Sequence, residues 1–396
     1  MTSFVSLVFC LSAATVLYVY FGYPALLCLG AFRKRQPSIR GSARPRVSLI
    51  VAAHNEETTI EAKLRNLSAL DYPQEFIEIL VGNDGSTDRT EEIVRRFGTR
   101  VIVISSSIQQ GKSATQNKLA SAASGEILVF TDADTTSGPD ALSRLAGHFA
   151  DPHVGLVTGR ALYCNEDETS VAHNEGRYLR YDTWLRRLES ACSILAVASG
   201  SFFAVRKSLW NPVAADLGDD FVLPLEIARA GFRNVLDTRV VAVTRLTQNR
   251  HSSMLRMKVR IISKDFRALL AHLDLLNPFQ YGALSIGLWS HKLLRWFVPY
   301  FLLALCASNA CVLDKVPFRL AFAMQTAFYA LALVGLTLQR AKWPVFSVPA
   351  SFCLVNFAAL LGTLKCLLGN ASGRWTPERS AAVPVPPTAT AARGTK

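Results

Sequence analysis

The chain of 396 residues is 50% hydrophobic and only 18% charged, with a formal net charge of +13. On the prior of about 150 residues per domain, that balance calls for membrane segments in addition to a soluble core. The basic excess comes with no zinc-finger spacing, RNA-binding signature or basic zipper, so nucleic acid is not an expected partner, and the eight cysteines form no CxxC pair, which leaves out a zinc site and a disulfide framework.

No residue from Phe4 to Phe32 is charged. A helix of that length covers about 43 Å at 1.5 Å per residue, more than the roughly 30 Å hydrocarbon core, so residues 1–32 are expected to span a membrane. The absence of Lys or Arg before Arg33 argues against a cleaved signal peptide. Arg33, Lys34, Arg35, Arg40, Arg44 and Arg46 follow with no acidic residue among them. This basic linker, residues 33–46, assigns the next domain to the cytoplasmic side of the membrane.

Strand and helix patterns then alternate. Val47–Ala53 reads as a strand, Ile60, Leu64 and Leu67 as one face of a helix, and Ile77–Val81 as the next strand. A helix with Ile93, Val94 and Phe97, the strand Val101–Ile104, an Ala-rich helix from about Ser113 and the strand Ile127–Phe130 continue the series. Such alternation predicts an α/β domain whose mainly parallel, Rossmann-like sheet carries helices on its faces. Thr58-Thr59-Ile60-Glu61 fits a capping box, and Asp88-Arg89-Thr90-Glu91 is its Asp-led counterpart. Both put a helix start just beyond a strand end.

That placement gathers the polar clusters on one rim, where ligands of parallel sheets bind. His54-Asn55-Glu56-Glu57 follows the first strand, Asn83-Asp84-Gly85-Ser86-Thr87-Asp88 the second, and Asp132-Ala133-Asp134 the fourth. Two aspartates at a buried strand end repel one another unless a cation is near, and Mg²⁺ characteristically binds through one or two carboxylates plus substrate phosphates. Gly111-Lys112-Ser113 is not a phosphate loop, because position 106 is Ser where that motif needs Gly. Lys112 at a helix start remains a candidate for phosphate. Farther on come a strand at Val154–Thr158, a charged helix from Glu175 to Glu189, and Asp219 and Asp220 in the first turn of a short helix with Pro224 early and Gly231 at its end.

With these motifs in this order, the chain from about Arg46 to Leu275 resembles a family 2 inverting glycosyltransferase of GT-A fold. The resemblance rests on Asn55-Glu56-Glu57, Asn83 to Asp88, Gly111-Lys112 with Asn117, Asp132-Ala133-Asp134 in the place of the family's Asp-x-Asp, and Asp219-Asp220 with Leu223 and Gly231. It implies transfer, with inversion, of a sugar from a nucleotide sugar, a UDP-sugar foremost, to a lipid-linked or polysaccharide acceptor. Asp84 and Asp132 would then contact the nucleoside, with Asn55, Glu57 and Lys112 lining the nucleotide-sugar pocket. Asp134 would hold Mg²⁺ or Mn²⁺ on the diphosphate, and Asp220, with Asp219 as second choice, would be the general base. Processive synthases of the family carry Gln-x-x-Arg-Trp, whereas this chain reads Met257-Lys258-Val259-Arg260-Ile261 and keeps only the Arg. A single-sugar transfer, or a different polymer, is therefore favoured over processive synthesis of a cellulose-like or hyaluronan-like polymer, and a membrane sensor that binds the nucleotide sugar without turnover is disfavoured by the retained Asp134 and Asp220.

The glycosyltransferase domain is expected over residues 47–250. Residues 251–290 follow as amphipathic interface helices, since Leu255, Val259, Ile262, Phe266, Leu269 and Leu273 step by three and four while Arg256, Lys258, Arg260, Lys264 and Arg267 take other faces. Residues 291–370 carry the further spans Phe297–Leu313, Phe318–Leu338 and Val345–Leu368, with Arg340-Ala341-Lys342 as a cytoplasmic turn. Residues 371–396 read as a disordered tail, Ala/Pro/Thr-rich from about Ser380. The whole is expected to be an integral protein of the cell's inner or plasma membrane with its catalytic domain in the cytoplasm.

Overall fold

A computed structural model describes residues 2–33, 44–248, 250–337, 343–369, 383 and 385. Most of the basic linker, the Arg340–Lys342 turn and nearly all of the tail lie outside the described residues. The described residues form two compact units: those of Lys34–Asn165 and Leu179–Thr247 make one, and those of Met1–Arg33, Glu166–Tyr178 and Gln248–Ala371 the other. Glu166–Tyr178 goes with the second unit although it lies within the 47–250 expectation.

Helices α1 (Thr2–Leu17) and α2 (Tyr23–Arg33) come first in the chain. The α/β unit is then built on β1 (Val47–Ala53), β2 (Ile77–Asp84), β3 (Val101–Ser106) and β4 (Ile127–Asp132), parallel strands ordered β3-β2-β1-β4. Beyond β4 the sheet turns antiparallel through β7 (Phe202–Arg206) and continues with β6 (Val154–Tyr163), β8 (Arg233–Thr244) and the two-residue β5 (Thr136–Ser137). Every residue of β1 is buried, which is why its sequence is apolar at all positions but Ser48 instead of alternating. Val47, Leu49, Val51 and Ala53 pack with Ile60, Leu64 and Leu67 of α3 (Ile60–Ser68) and with Ile93 and Val94 of α4 (Thr90–Arg95). The other face takes α5 (Lys112–Ala122): at Gly82 a Cβ would come within 2.3 Å of Thr115 Cγ2, so only a bare backbone lets α5 lie this close. The mainly parallel Rossmann-like arrangement agrees with the reading from alternation.

Helix α3 starts one residue later than the first capping box implies, and Thr59, which precedes it, does not cap it: its hydroxyl donates instead to Glu56 Oε2 at 2.5 Å. Glu56 wins the hydroxyl because it is buried and needs a donor. Asp88 does bind the start of α4, accepting from Thr90 N at 3.0 Å. After α6 (Ala141–Gly147), the charged helix is longer than expected, as α7 (Ser170–Ala191), and α8 (Asp219–Arg229) ends before Gly231, whose φ is 84°.

The helical unit contains four helices long and apolar enough to cross a membrane: Phe4–Ala31, Ala283–Ala310, Val316–Thr337 and Pro344–Leu367. The second begins earlier than Phe297 because α11 (Ala283–Gly287), a π-turn and α12 (Leu294–Ala310) run on without a break, α10 (Pro278–Tyr281) preceding them. Lys292 is thereby inside the helix, with Asp265 of α9 (His251–Leu270) 3.6 Å away. Lys258 of α9 is likewise not on a solvated face. It is buried and donates to Glu175 Oε1 at 2.8 Å. Gly362 of α14 (Pro344–Leu367), which follows α13 (Val316–Thr337), lets α9 approach closely, since a Cβ there would meet Ile262 at 3.0 Å.

Candidate active site

Register brings the acidic loops to one edge of the α/β unit: Ala53 pairs with Asn83 and Ala52 with Asp132. The loops brace one another. Asn55, with φ of 57°, donates its N–H to Ser86 Oγ (3.0 Å) and accepts from Thr87 N (2.8 Å) through Oδ1. Glu57 Oε2 accepts from Arg89 Nε at 3.3 Å. Asp84, fully buried at the end of β2, accepts from Gln110 N at 2.7 Å and Gly111 N at 2.8 Å. The side chains of these three expected nucleotide-binding residues are engaged in shaping the rim. Gly111 has φ of 101°, which L side chains rarely adopt, and this lets the chain turn from the Asp84 anchor directly into α5 with Lys112 as its first residue.

The other five expected residues converge. Lys112 Nζ donates to Asp132 Oδ1 at 2.6 Å. Burial pulls the Lys112 ammonium towards its neutral form, but Asp132, Asp219 and Asp220 together hold its pKa above the ordinary lysine value. The Asp134 carboxyl is pushed up, first by burial and then by Asp132, with Lys63 and Lys112 opposing. Carboxylates from the end of β4 and from the start of α8 therefore lie in the field of one lysine, although Lys112 and Asp219 are more than a hundred residues apart in sequence.

The two acids of α8 differ in their surroundings. Asp219 is buried and accepts from Gln116 Nε2 at 3.1 Å. Asp220 is half-buried beside Gly200, where an added Cβ would stand 3.1 Å from Asp220 Oδ2. Pro224 does more than the sequence suggested. It has no N–H for the Asp220 carbonyl one turn earlier, and that carbonyl accepts from Ala198 N at 2.8 Å instead, tying the segment that leads to Gly200 onto α8 next to the Asp220 carboxylate.

Sequence reasoning missed three side chains here. Gln116 lies on α5 and orients Asp219. Glu56 is 6% exposed, and its carboxyl is pushed up from 4.5 to about 7, chiefly by burial, with the Thr59 hydrogen bond opposing and Asp134, Asp132 and Asp88 adding to the rise. Lys63 is 1% exposed, and its Nζ donates to Thr131 Oγ1 and to the Thr135 carbonyl, both at 2.7 Å. Burial pushes the Lys63 ammonium down to about 7 against the pull of Asp132 and Asp134. A signal was present: Lys63 shares the buried stripe of α3 with Ile60 and Leu67, where a solvated lysine does not belong.

Among the described residues no group of three or more His, Cys, Asp and Glu side chains is disposed to hold a metal ion. The turn after β4 offers two carboxylates, which matches a hard cation that draws its remaining oxygens from a diphosphate. The Asp134 carboxyl is raised by burial first and by the Asp132 charge second, and such a cation would offset the second of these. The residues fit a divalent ion held jointly with substrate.

Residues 48–211 match Glycosyl transferase family 2, so the chain carries a family 2 glycosyltransferase domain. Among curated proteins, it is 28% identical over 244 residues to a probable glycosyltransferase of Bacillus subtilis, covering 55% of this chain and 57% of that protein. It is 30% identical over 207 residues to a beta-monoglucosyldiacylglycerol synthase of Nostoc sp., covering 49% and 44%. A poly-beta-1,6-N-acetyl-D-glucosamine synthase of Staphylococcus epidermidis is 28% identical over 170 residues, covering 42% and 41%. The chain thus spans about half the length of the curated relatives it matches. Among solved structures, a mannosyltransferase from Pyrobaculum calidifontis in complex with GDP-Man and Mn²⁺ superposes with a TM-score of 0.70 at 23% identity, over 91% of this chain and 99% of that one. What the two share is the fold, a GT-A domain with its accompanying helices.

Proposed function

We propose that this protein transfers a single sugar, with inversion, from a nucleotide sugar to an acceptor held in the membrane, a lipid or lipid-linked sugar, with a UDP-sugar as the preferred donor. The observation that carries the proposal is the convergence of Asp132, Asp134, Asp219 and Asp220 on Lys112. Asp134, with Asp132 beside it, would hold Mg²⁺ or Mn²⁺ against the diphosphate. When bound, the cation stabilises the charge that develops on the departing nucleoside diphosphate. Lys112, kept protonated by its acidic neighbours, adds a fixed positive charge on the same side. Asn55, Glu57 and Asp84 shape the loops around the nucleoside.

Asp220 is the general base, taking the proton of the acceptor hydroxyl as that oxygen attacks the anomeric carbon. The surroundings favour Asp220 over Asp219: the Gln116 amide holds Asp219 in a buried position, whereas the space left by Gly200 adjoins the Asp220 carboxylate. The basic composition of the linker supports a cytoplasmic side for the domain, and the four apolar helices are consistent with an acceptor that never leaves the bilayer. The relatives' names, a glycolipid synthase and a polysaccharide synthase, bracket the acceptor class.

The test is to supply labelled UDP- and GDP-sugars to membranes containing the protein and to follow label into lipid. Release of nucleoside diphosphate that requires both a divalent cation and extracted lipid supports the proposal. Absence of release with every donor, or labelled product of high polymer size, refutes it.

A further inference from the structure

The acidic turn after β4 is approached by lysines from helices on opposite faces of the sheet. Lys112 of α5 meets Asp132 at a half-exposed position, 22% and 32% accessible in the two side chains. Lys63 of α3 comes from the other face and is sealed in the core. Its Nζ binds Thr131 and Thr135, the residues that bracket Asp132-Ala133-Asp134, and the charges acting on it are those of Asp132 and Asp134. The bracket is itself fixed. Thr131 Oγ1 passes its own proton to the Ser201 carbonyl at 2.9 Å, and Asn66, one turn along α3, exchanges two hydrogen bonds with the backbone of Ser137, at 2.9 and 3.0 Å.

A buried lysine is costly, and a methionine of similar length would fill the same space without that cost. Hydrogen bonds alone do not require a charge at this position. What does is the pair of carboxylates one residue apart, whose mutual repulsion Lys112 offsets at Asp132 and Lys63 offsets, ahead of Lys112, at Asp134.

We infer that Lys63 is the standing counter-ion of the acidic turn: it holds Asp132 and Asp134 together before substrate arrives, and by its charge it keeps a free divalent cation from binding tightly until a diphosphate brings further oxygens. Cation and nucleotide therefore bind as a unit, and Lys63 is a positioning residue that touches neither. The inference rests on the metal-dependent reading above.

The experiment measures Mn²⁺ binding by loss of the free-ion electron paramagnetic resonance signal, on full-length protein in detergent, with and without UDP or GDP, at about pH 6.5 where the Lys63 ammonium is mostly present. Wild type is expected to bind Mn²⁺ at least about tenfold more tightly with nucleotide than without. In Lys63→Met, and in Lys63→Gln, which keeps hydrogen bonding but not charge, free Mn²⁺ is expected to bind about tenfold more tightly than in wild type, so that the nucleotide's advantage shrinks. Thr131→Val, which removes the hydroxyl's hydrogen bonds to Lys63 and to the Ser201 carbonyl and keeps the charge, is expected to stay within about twofold of wild type. A merely structural lysine would change the melting temperature and leave the ratio of Mn²⁺ affinities with and without nucleotide where it was. If wild type binds Mn²⁺ with nucleotide but both Lys63 variants bind the free ion no better than wild type, the inference fails and the functional reading stands. Should the Lys63 variants not fold, wild type alone decides, since Mn²⁺ binding that is equally tight without nucleotide overturns it. Wild type that binds no Mn²⁺ in any condition takes both with it.

Discussion

Replacing Glu56 with Gln should make the protein more stable at alkaline pH and leave it nearly unchanged in acid. Glu56 is enclosed behind the rim, with the Thr59 hydroxyl as its donor at 2.5 Å and the charges of Asp134, Asp132 and Asp88 nearby. Its pKa is raised on folding, from 4.5 to about 7, with burial the largest cause. For an acid shifted upward, the folded state retains a proton that the unfolded chain has already released. Stability therefore falls as pH rises between the two values, and above about 7 the full cost of an ionised buried carboxylate is present. At about 1.4 kcal/mol per unit, that shift corresponds to about 3 kcal/mol. Gln is neutral throughout and can still accept from Thr59, so Glu56→Gln removes the cost without orphaning the hydroxyl. Melting followed by intrinsic fluorescence in one detergent should show a variant-minus-wild-type difference near zero at about pH 4.5 and of about 6–12 °C at about pH 8, on the usual scaling for a unit of some 200 residues. A divalent cation with nucleotide should narrow the difference, because it offsets the field of Asp132 and Asp134. A difference that is the same at both pH values would show that Glu56 is not held protonated by its surroundings.

The remaining predictions concern the base, its support and the helical unit. Asp220→Asn should retain nucleotide binding by calorimetry and lose at least about 100-fold in transfer rate, the range expected for a positioned base; unchanged turnover would remove Asp220 from the role. Gly200→Ala places a methyl 3.1 Å from Asp220 Oδ2, so kcat for transfer should fall with little change in donor affinity, whereas a loss confined to donor affinity would put Gly200 at the nucleotide instead. Lys292→Met leaves the Asp265 carboxyl buried without its cation, and the carboxyl is already pushed up by burial. The variant should lose about 3–5 kcal/mol of stability, and Asp265→Asn on the same background should recover most of it in thermal melts. Failure of the second change to restore stability would mean that the pair is not coupled.

The alternation of strands and helices was legible because the central strands β1 and β4 are mostly apolar runs and α3 carries an apolar stripe, both properties of short windows of sequence. The rim of acids was legible for the same reason. Parallel strands end level with one another, so residues that follow each strand in sequence are neighbours in space. The start of α3 was placed one residue early because Glu56, buried by contacts that no local window contains, takes the hydroxyl of Thr59, the residue that precedes the helix. The second span was read as starting at Phe297 because composition alone does not show that Ala283 to Ala310 is one continuous helix whose Lys292 has an acidic partner on α9.

By itself the sequence determined the class of fold, the membrane-length helices and the set of carboxylates, since hydrophobic period and strand-end position are encoded locally. Only the tertiary structure decided how those carboxylates differ. Lys63 reaches Thr131 across 68 residues of sequence and Gln116 reaches Asp219 across 103, and such partners are fixed by the packing of α3 and α5 on the sheet. The different surroundings of Asp219 and Asp220, and the cation sealed against the acidic turn, are consequences of that packing, because a charge in a protein interior is defined by what surrounds it and its neighbours in sequence are seldom those surroundings.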